Sequence, residues 1–402
     1  MQVKDNKILV FSFFRLFITG ITWALIGPLI PIISKDLGVG LDFIGTALSI
    51  SVFGLFITSL ITGSLIEVFG FKKIIFLGSL LSAFGSLGLF FSYNYTIFLI
   101  SYFILQIGTG IIFVAIFSLI GSYYSRKRTS SLIKVVIGNA LALIISPLLV
   151  SGMLFMNLGW RFLYIYIFIL QVALLVWLLF LKIPKKVKIK GALKSLFNIS
   201  KKISSNPYFI LFCILVFIHS AVINTFFTWF TTYFSTLNIN LDISSLFLAG
   251  YGVAVLVGML LKNKMIKHIK EKRVLLFGVI ISFLALVGVF FCSNLIFKNI
   301  LIFLFGMAIA GNFTITFSIS TGLFPEYTNS ASGFLVASAN LGIMIFQYLG
   351  GYFSQNFSKD SVLYIDIILL FALFIVVLIL NMSRKFAGIY NRIKKNYRKA
   401  DN

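Results

Sequence analysis

Few side chains in this sequence could do covalent chemistry, and none shows a partner at useful spacing. The two histidines, His219 and His268, and the two cysteines, Cys213 and Cys292, have no metal-ligand spacing. Both cysteines lie in apolar runs, where a thiol behaves as a small hydrophobe. Paired carboxylates and a glycine-rich phosphate loop with its lysine are missing too, so the equipment of a membrane-face enzyme is not there. No metal, no cofactor and no enzymatic activity are expected. What stands out is a scatter of residues inside long apolar runs: Arg15, Trp23, Gln106, Asn139, His219, Asn224, Trp229, Asn312 and Asn340. In hydrocarbon a polar group is expensive, and one that persists usually faces a cavity or a partner. The chemistry on offer is reversible hydrogen bonding and charge attraction.

The elements that must position these groups follow from composition. Of 402 residues, 60% are hydrophobic and 11% charged, too few charges to cover a water-facing surface. Lipid is therefore the solvent for most of the chain. A helix needs roughly 20 apolar residues to cross hydrocarbon about 30 Å thick. Runs of that kind place spans near 9–33, 43–65, 73–92, 96–121, 132–156, 161–181, 208–235, 244–261, 274–294, 299–323, 332–355 and 362–382. The first run, beginning near Ile8, is longer than a signal-peptide core and has no cleavage site, so it reads as a retained helix.

A net charge of +24 would suggest nucleic acid in a soluble protein, but here the basic residues sit between the apolar runs. With the N-terminus in the cytoplasm, the predicted inner segments hold 29 of the 34 Lys and Arg. Lys35, Arg161, Lys298 and Lys359 fall outside, and Arg15 lies within the first span. An odd number of spans or the opposite orientation would break this positive-inside pattern. The expected fold is thus all-α and integral to the membrane: twelve transmembrane helices in two six-helix bundles, with both termini cytoplasmic. The bundles cover 1–181 and 208–383, with a basic linker at 182–207 and a basic tail at 384–402. Lipid headgroups are the expected contact of linker and tail. A monomer in the cell (inner) membrane, with no nucleic-acid partner, completes this reading.

Motifs then narrow the class. Residues 63–73, GSLIEVFGFKK, resemble the cytoplasmic signature of the major facilitator superfamily, Gly-x-Leu-x-Asp-Arg-x-Gly-Arg-Lys. Gly63, Leu65, Gly70 and Lys72 match, Glu67 stands for the Asp, and Val68 replaces a basic residue. Further pieces occur in order. Gly108-Thr109-Gly110 is similar to the Gly-x-Gly of the family's fourth-helix motif, with Ile104 where Arg is common. Gly138, Ala142, Ser146 and Pro147 resemble its antiporter motif, Gly159-Trp160-Arg161-Phe162 its Gly-Trp-Arg start of the sixth span, and residues 323–333 its tenth-to-eleventh loop. The second-half copy of the gating loop, 258–273, is basic throughout and has only Glu271 as an acid.

The resemblance implies alternating access, with Gly63, Glu67, Gly70 and Lys72 at a gate and spans one, four, seven and ten lining a central cavity. Gln106, Asn224 and Asn312 share a depth on those helices and are expected to hydrogen-bond solute, with Trp23 and Trp229 as apolar walls. Asn139, His219 and Asn340 lie at similar depth. For each polar group an interhelical hydrogen bond is an equal reading. Arg15 either snorkels to the cytoplasmic interface or attracts an anionic solute. His219 either stays a neutral hydrogen bonder or titrates. Proton coupling would run through His219 or an exposed acid, since Asp366 lies one turn from the outer face; a facilitator needs neither. Glycines of the eleventh span and the fifth-span ladder read as packing faces, and Pro28, Pro31 and Pro147 as bend points. Transport of a small solute by alternating access is the function expected. An efflux antiporter for amphipathic compounds, or a non-transporting sensor or scaffold of the same fold, are the alternatives.

Overall fold

The structure, a computed structural model, describes residues 6–124, 128–183, 206–266, 268–323 and 328–382. The Glu67 side chain, most of the 182–207 linker, most of the 323–333 side chains and the tail past 382 lie outside the described residues. The described residues are all-helical: α1 (Asn6–Ala24), α2 (Ile26–Leu37), α3 (Leu41–Phe69), α4 (Phe71–Phe90), α5 (Tyr95–Tyr123), α6 (Arg128–Phe155) and α7 (Arg161–Phe180). They continue with α8 (Pro207–Phe234), α9 (Leu241–Met265), α10 (Glu271–Phe291), α11 (Leu295–Ile309), α12 (Asn312–Leu323), α13 (Thr328–Asn356) and α14 (Ser361–Met382). Among the described residues, twelve helical spans are long and apolar enough to cross a membrane, the number expected. Asn94 and Asn294 start α5 and α11 by accepting first-turn amides on their side chains.

Two of the expected spans are broken, the first of them in the stretch whose prolines mark a bend. The first divides at Leu25 into α1 and α2. Pro28 has no N–H to give the Ala24 carbonyl, so the helical ladder loses a rung there. The tenth divides into α11 and α12 at Ala310 and Gly311, where the glycine has φ +73°. That left-handed conformation is open to Gly at little steric cost and stops the ladder.

Amphipathicity is turned inside out. On α1 the polar residues Ser12, Arg15, Thr19 and Thr22 are buried, while Val10 and Phe14 face outward with 44% and 43% exposure. This is the pattern of a helix whose exterior meets lipid.

The chain forms two compact units. The first comprises Met1–Lys190, Thr225–Val253 and Met344–Val362, and the second Gly191–Asn224, Ala254–Ile343 and Leu363–Asn402. The dividing line thus crosses α8, α9 and α13. In the first unit, small residues bring backbones together. A Cβ on Gly85 would lie 2.5 Å from the Leu105 nitrogen, and one on Gly108 would strike the Ser82 nitrogen, so α4 and α5 pack backbone to backbone. The α6 ladder packs on α1: a Cβ on Gly138 would stand 2.7 Å from the Phe13 carbonyl, and the Ser146 hydroxyl donates to Ala142 at 2.7 Å and Ile21 at 3.4 Å.

Arg161 closes one end of this unit, the face away from the start of α1. Its guanidinium pairs with Asp36 at 2.7 Å and donates twice to the Ser92 carbonyl, at 3.1 and 2.7 Å. Trp160 donates to the same Asp36 oxygen, and the Trp160 and Tyr93 rings lie 4.6 and 5.0 Å from the cation. The Gly-Trp-Arg motif is therefore a clamp joining α2, the end of α4 and the start of α7. On the same face, parts of α8 and α13 pack on the first helices. Leu41 donates its amide to Gln355 Oε1 at 2.9 Å, and Thr231 donates to the Gly27 carbonyl at 3.1 Å. In the second unit, α13 meets α8 where Gly342 abuts the Phe217 carbonyl.

Replacing Gly108 by Val should lower stability by about 1–3 kcal/mol, because the opposing atoms are backbone and cannot rotate away. A lower thermal midpoint of the purified protein would show it, with Gly152→Ala, where the space is open, as the unaffected control.

Candidate functional site

The buried stripe of α1 is the starting point. Residues 12, 15, 19 and 22 recur at spacings of three and four, so they share one helix face. Arg15 is completely buried, and none of its three guanidinium nitrogens has a hydrogen-bond partner among the described residues. A snorkelling arginine would expose its head, so the burial speaks against that reading. The Ser12 and Thr19 hydroxyls flanking it on the stripe are also buried and unpartnered. One turn further, Thr22 donates to the Ile18 carbonyl at 2.7 Å and accepts from Gln171 Nε2 at 3.4 Å. Gln171 on α7 also donates to Ser86 on α4 at 3.3 Å, linking three helices. On α5, Gln106 donates to the Tyr102 hydroxyl at 3.2 Å. The side-chain oxygens of Gln106 and Gln171 accept nothing among the described residues.

The other expected residues of this unit are packed against neighbouring helices. Trp23 is half-buried and stacks on Phe227 at 5.8 Å. Trp229 is fully buried in an apolar cluster with Leu25 and Leu29, its indole nitrogen against Gly350. Asn139 fits into the notch left by Gly20, its Oδ1 2.6 Å from where a Cβ would stand. In the gating motif, Gly70 has φ +82° between α3 and α4. Lys72 donates to the carbonyls of Leu179 and Leu181, at 2.7 and 3.0 Å. It thus serves acceptors that the end of α7 leaves without helical partners. Gly63 faces open space, and the Glu67 side chain is among the undescribed.

The second unit holds His219, Asn224, Asn312 and Asn340. Asn224 donates back to the Ser220 carbonyl at 2.7 Å. His219 is buried with Nδ1 unpartnered among the described residues. Asn340 is buried with Nδ2 unpartnered. Asn312 begins α12, and its Oδ1 accepts from the ammonium of Lys262, which also donates to the Ala308 carbonyl. Lys262, counted from the sequence as a loop cation, lies inside α9 and is 7% exposed. It brings donors to the break in the tenth span, and Gly278 leaves the room: a Cβ there would stand 2.6 Å from Nζ. The C-terminal end of α11 favours a cation at this place.

This helical architecture, with its small-residue seams and inward polar groups, is matched by sequence. A family model described as Major Facilitator Superfamily covers residues 12–327 and again 265–391. The chain belongs to the Major Facilitator Superfamily. It is similar to the "Protein TsgA homolog" of Buchnera aphidicola subsp. Baizongia pistaciae (strain Bp), 22% identical over 386 residues, covering 94% of this chain and 97% of the relative. It is also similar to the glucose/mannose transporter GlcP of Bacillus subtilis (strain 168), 24% identical over 276 residues, with 65% and 66% covered. Two crystal structures share the fold. The nucleoside transporter NupG has a TM-score of 0.77 at 13% identity, covering 92% of this chain and 99% of its own. A D-xylose-proton symporter has a TM-score of 0.75 at 16% identity, covering 93% and 97%. This superfamily member is a multi-pass membrane protein and a solute transporter working by alternating access, not an enzyme.

Sequence reasoning missed Ser12, Thr19, Gln171 and Lys262. Gln171 carried a usable signal, an amide in the otherwise apolar run of α7. Ser12 and Thr19 carried only their spacing from Arg15. Lys262 carried none, since it closes an apolar run as a loop lysine would.

Lys262→Met and Asn312→Leu, made singly and together, should show a coupling of about 1.5–3 kcal/mol in unfolding free energy, the range of a hydrogen bond to a charge. Additive changes would show that the ammonium gains nothing from Asn312.

Proposed function

We propose that this transporter carries a small hydrophilic solute through a site lined by the buried polar residues of α1, α5 and α7. The observation carrying this reading is the set of buried polar atoms on Ser12, Arg15, Thr19, Gln106 and Gln171 that have no partner among the described residues. Each such atom raises the energy of the protein unless something meets it during the cycle. A solute with several hydrogen-bonding groups does so; an amphipathic compound satisfies fewer of them. The names of the relatives, a glucose/mannose transporter among them, agree with a polar cargo.

Orientation follows from the positive-inside rule, with both termini and the 182–207 linker in the cytoplasm of a cell (inner) membrane. The Arg161 clamp then belongs to the outer face, and the Leu41–Gln355 and Thr231–Gly27 contacts close that face. Two bodies of six helices each, the division read from the sequence, suit alternating access as in other carriers with repeat halves, and a monomer suffices. Lipid headgroups hold the basic linker and tail. His219 Nδ1 and both Asp366 carboxyl oxygens are buried and unpartnered among the described residues, which makes these two the groups to test for proton coupling.

Reconstituted in proteoliposomes, the protein should show saturable uptake of a polar solute. An imposed inward proton gradient should speed it, and His219→Gln or Asp366→Asn should remove the acceleration. Uptake indifferent to the gradient would leave a facilitator. Absence of uptake and of any solute-induced thermal shift, across sugars, nucleosides, amino acids and organic acids, would leave a scaffold.

Cysteines placed at Gly40 and Gln355, where a Cβ on the glycine would lie 3.2 Å from the Gln355 amide carbon, should cross-link with a short bifunctional reagent. Locking this face should abolish uptake, with recovery when the link is cleaved. Unimpaired uptake in the linked protein would show that the contact does not open.

A further inference from the structure

We infer that the solute is a hydroxylated organic anion, its oxyanion group bound by Arg15 with the hydroxyls of Ser12 and Thr19. The inference rests on the transport reading and adds the charge of the cargo.

Three observations carry it. First, Arg15 brings a guanidinium into the interior at 0% exposure, with Nε, Nη1 and Nη2 all lacking acceptors among the described residues. A guanidinium cannot shed its charge as other buried groups can, and its planar fork of donors matches the oxygens of a carboxylate or phosphate. Second, the described acids offer no counter-charge. Asp36, Asp42, Asp242, Glu271 and Asp360 stand at helix ends, Asp36 being held by Arg161, and Asp366 belongs to the other unit. Third, the neighbouring groups on the stripe are of one kind. Ser12 and Thr19 lie about one turn to either side, on the same face as Arg15, and their unpartnered hydroxyls can turn toward an acceptor.

The rest of the cargo is drawn by complementary groups. Gln171 is fixed to the next residue of the stripe, Thr22, and to Ser86, which leaves its Oε1 as an acceptor. Gln106, its nitrogen on Tyr102, likewise presents Oε1. Acceptors of this kind call for hydroxyl or amine donors on the body of the solute. A bare inorganic ion would leave both amide oxygens unmet.

The test compares solutes that share a body and differ in charge: glucose, gluconate, glucose 6-phosphate and, as the bare ion, inorganic phosphate. The full chain is used in proteoliposomes for uptake and in detergent for thermal stability. Gluconate, glucose 6-phosphate or both should be taken up saturably and raise the thermal midpoint, while glucose does neither and phosphate binds only weakly. Arg15→Gln should raise KM for the anion at least about tenfold, the loss of one charge-assisted hydrogen bond. Arg15→Lys, which keeps the charge and loses the fork, should recover part of it. The ligand-free Arg15→Gln protein should be as stable as the wild type or more so, since it no longer buries an unpaired charge.

Glucose uptake equal to that of the anions, or an unchanged KM in Arg15→Gln, overturns the inference and leaves the carrier standing. A ligand-free Arg15→Gln protein markedly less stable than wild type shows Arg15 to be structural and also overturns it. Anions that stabilise the wild type and not Arg15→Gln, with no solute moved, uphold the anion site and remove the carrier reading. No stabilisation and no uptake by any of the four solutes removes the anion inference.

Discussion

Hydrocarbon offers no water to a backbone carbonyl, so a helix broken inside the membrane must find its partners in other helices. Much of this molecule can be understood from that requirement. Pro31 removes the N–H that would have met the Gly27 carbonyl, and Thr231 of α8 donates to it at 3.1 Å. Pro147 does the same to Leu143, and α9 approaches that carbonyl at Gly252, where a Cβ would stand only 2.7 Å away. At the break in the tenth span the Ala308 carbonyl receives the ammonium of Lys262. In each case the defect in one helix specifies the neighbour that packs on it.

Such contacts are also weak enough to open. A neutral hydrogen bond contributes about 1 kcal/mol net, and Thr231–Gly27 and Leu41–Gln355 are neutral. Moving a two-state equilibrium from one side to the other takes about 5.5 kcal/mol. A closing face held by a few bonds of this size, with apolar packing around them, lies within reach of the binding energy of a small solute. The Arg161 clamp is of another order. It combines an ion pair with Asp36, two bonds to a carbonyl and two aromatic faces, all inside the first seven helices. It holds its part of the molecule far more firmly than a single neutral hydrogen bond does.

The number of spans could be read from the sequence because length and hydropathy alone decide it. The break in the first span was legible as a bend at Pro28 and Pro31; the one in the tenth was not, since Gly311 sits in a run of small and apolar residues where nothing marks a left-handed backbone. Lys262 shows the same limit for a side chain: at the end of an apolar run it reads as a loop cation, and only the path of α9 to Met265 carries it inside. The small-residue ladder of α6 was legible as a packing face because close helix approach in lipid requires such residues. The partners that it meets on α1 were not, since a sequence gives the face of one helix and not the identity of the next.

Burial inside the helical bundle sorts the polar residues into two kinds, and the sorting depends on partners more than on depth. Asn224, Ser146 and Lys262 spend their hydrogen bonds on the protein's own backbone, and their positions are explained by that. Ser12, Arg15 and Thr19 are as deeply buried and leave theirs unused among the described residues. A group of the first kind stabilises the structure that contains it. One of the second kind is costly while unmet, and the cost is recovered when water or a bound solute supplies the missing partner. For a carrier that difference is useful: strain relieved by the cargo favours the loaded protein over the empty one, so the same buried charge that recognises a solute also helps to drive the change of shape that moves it.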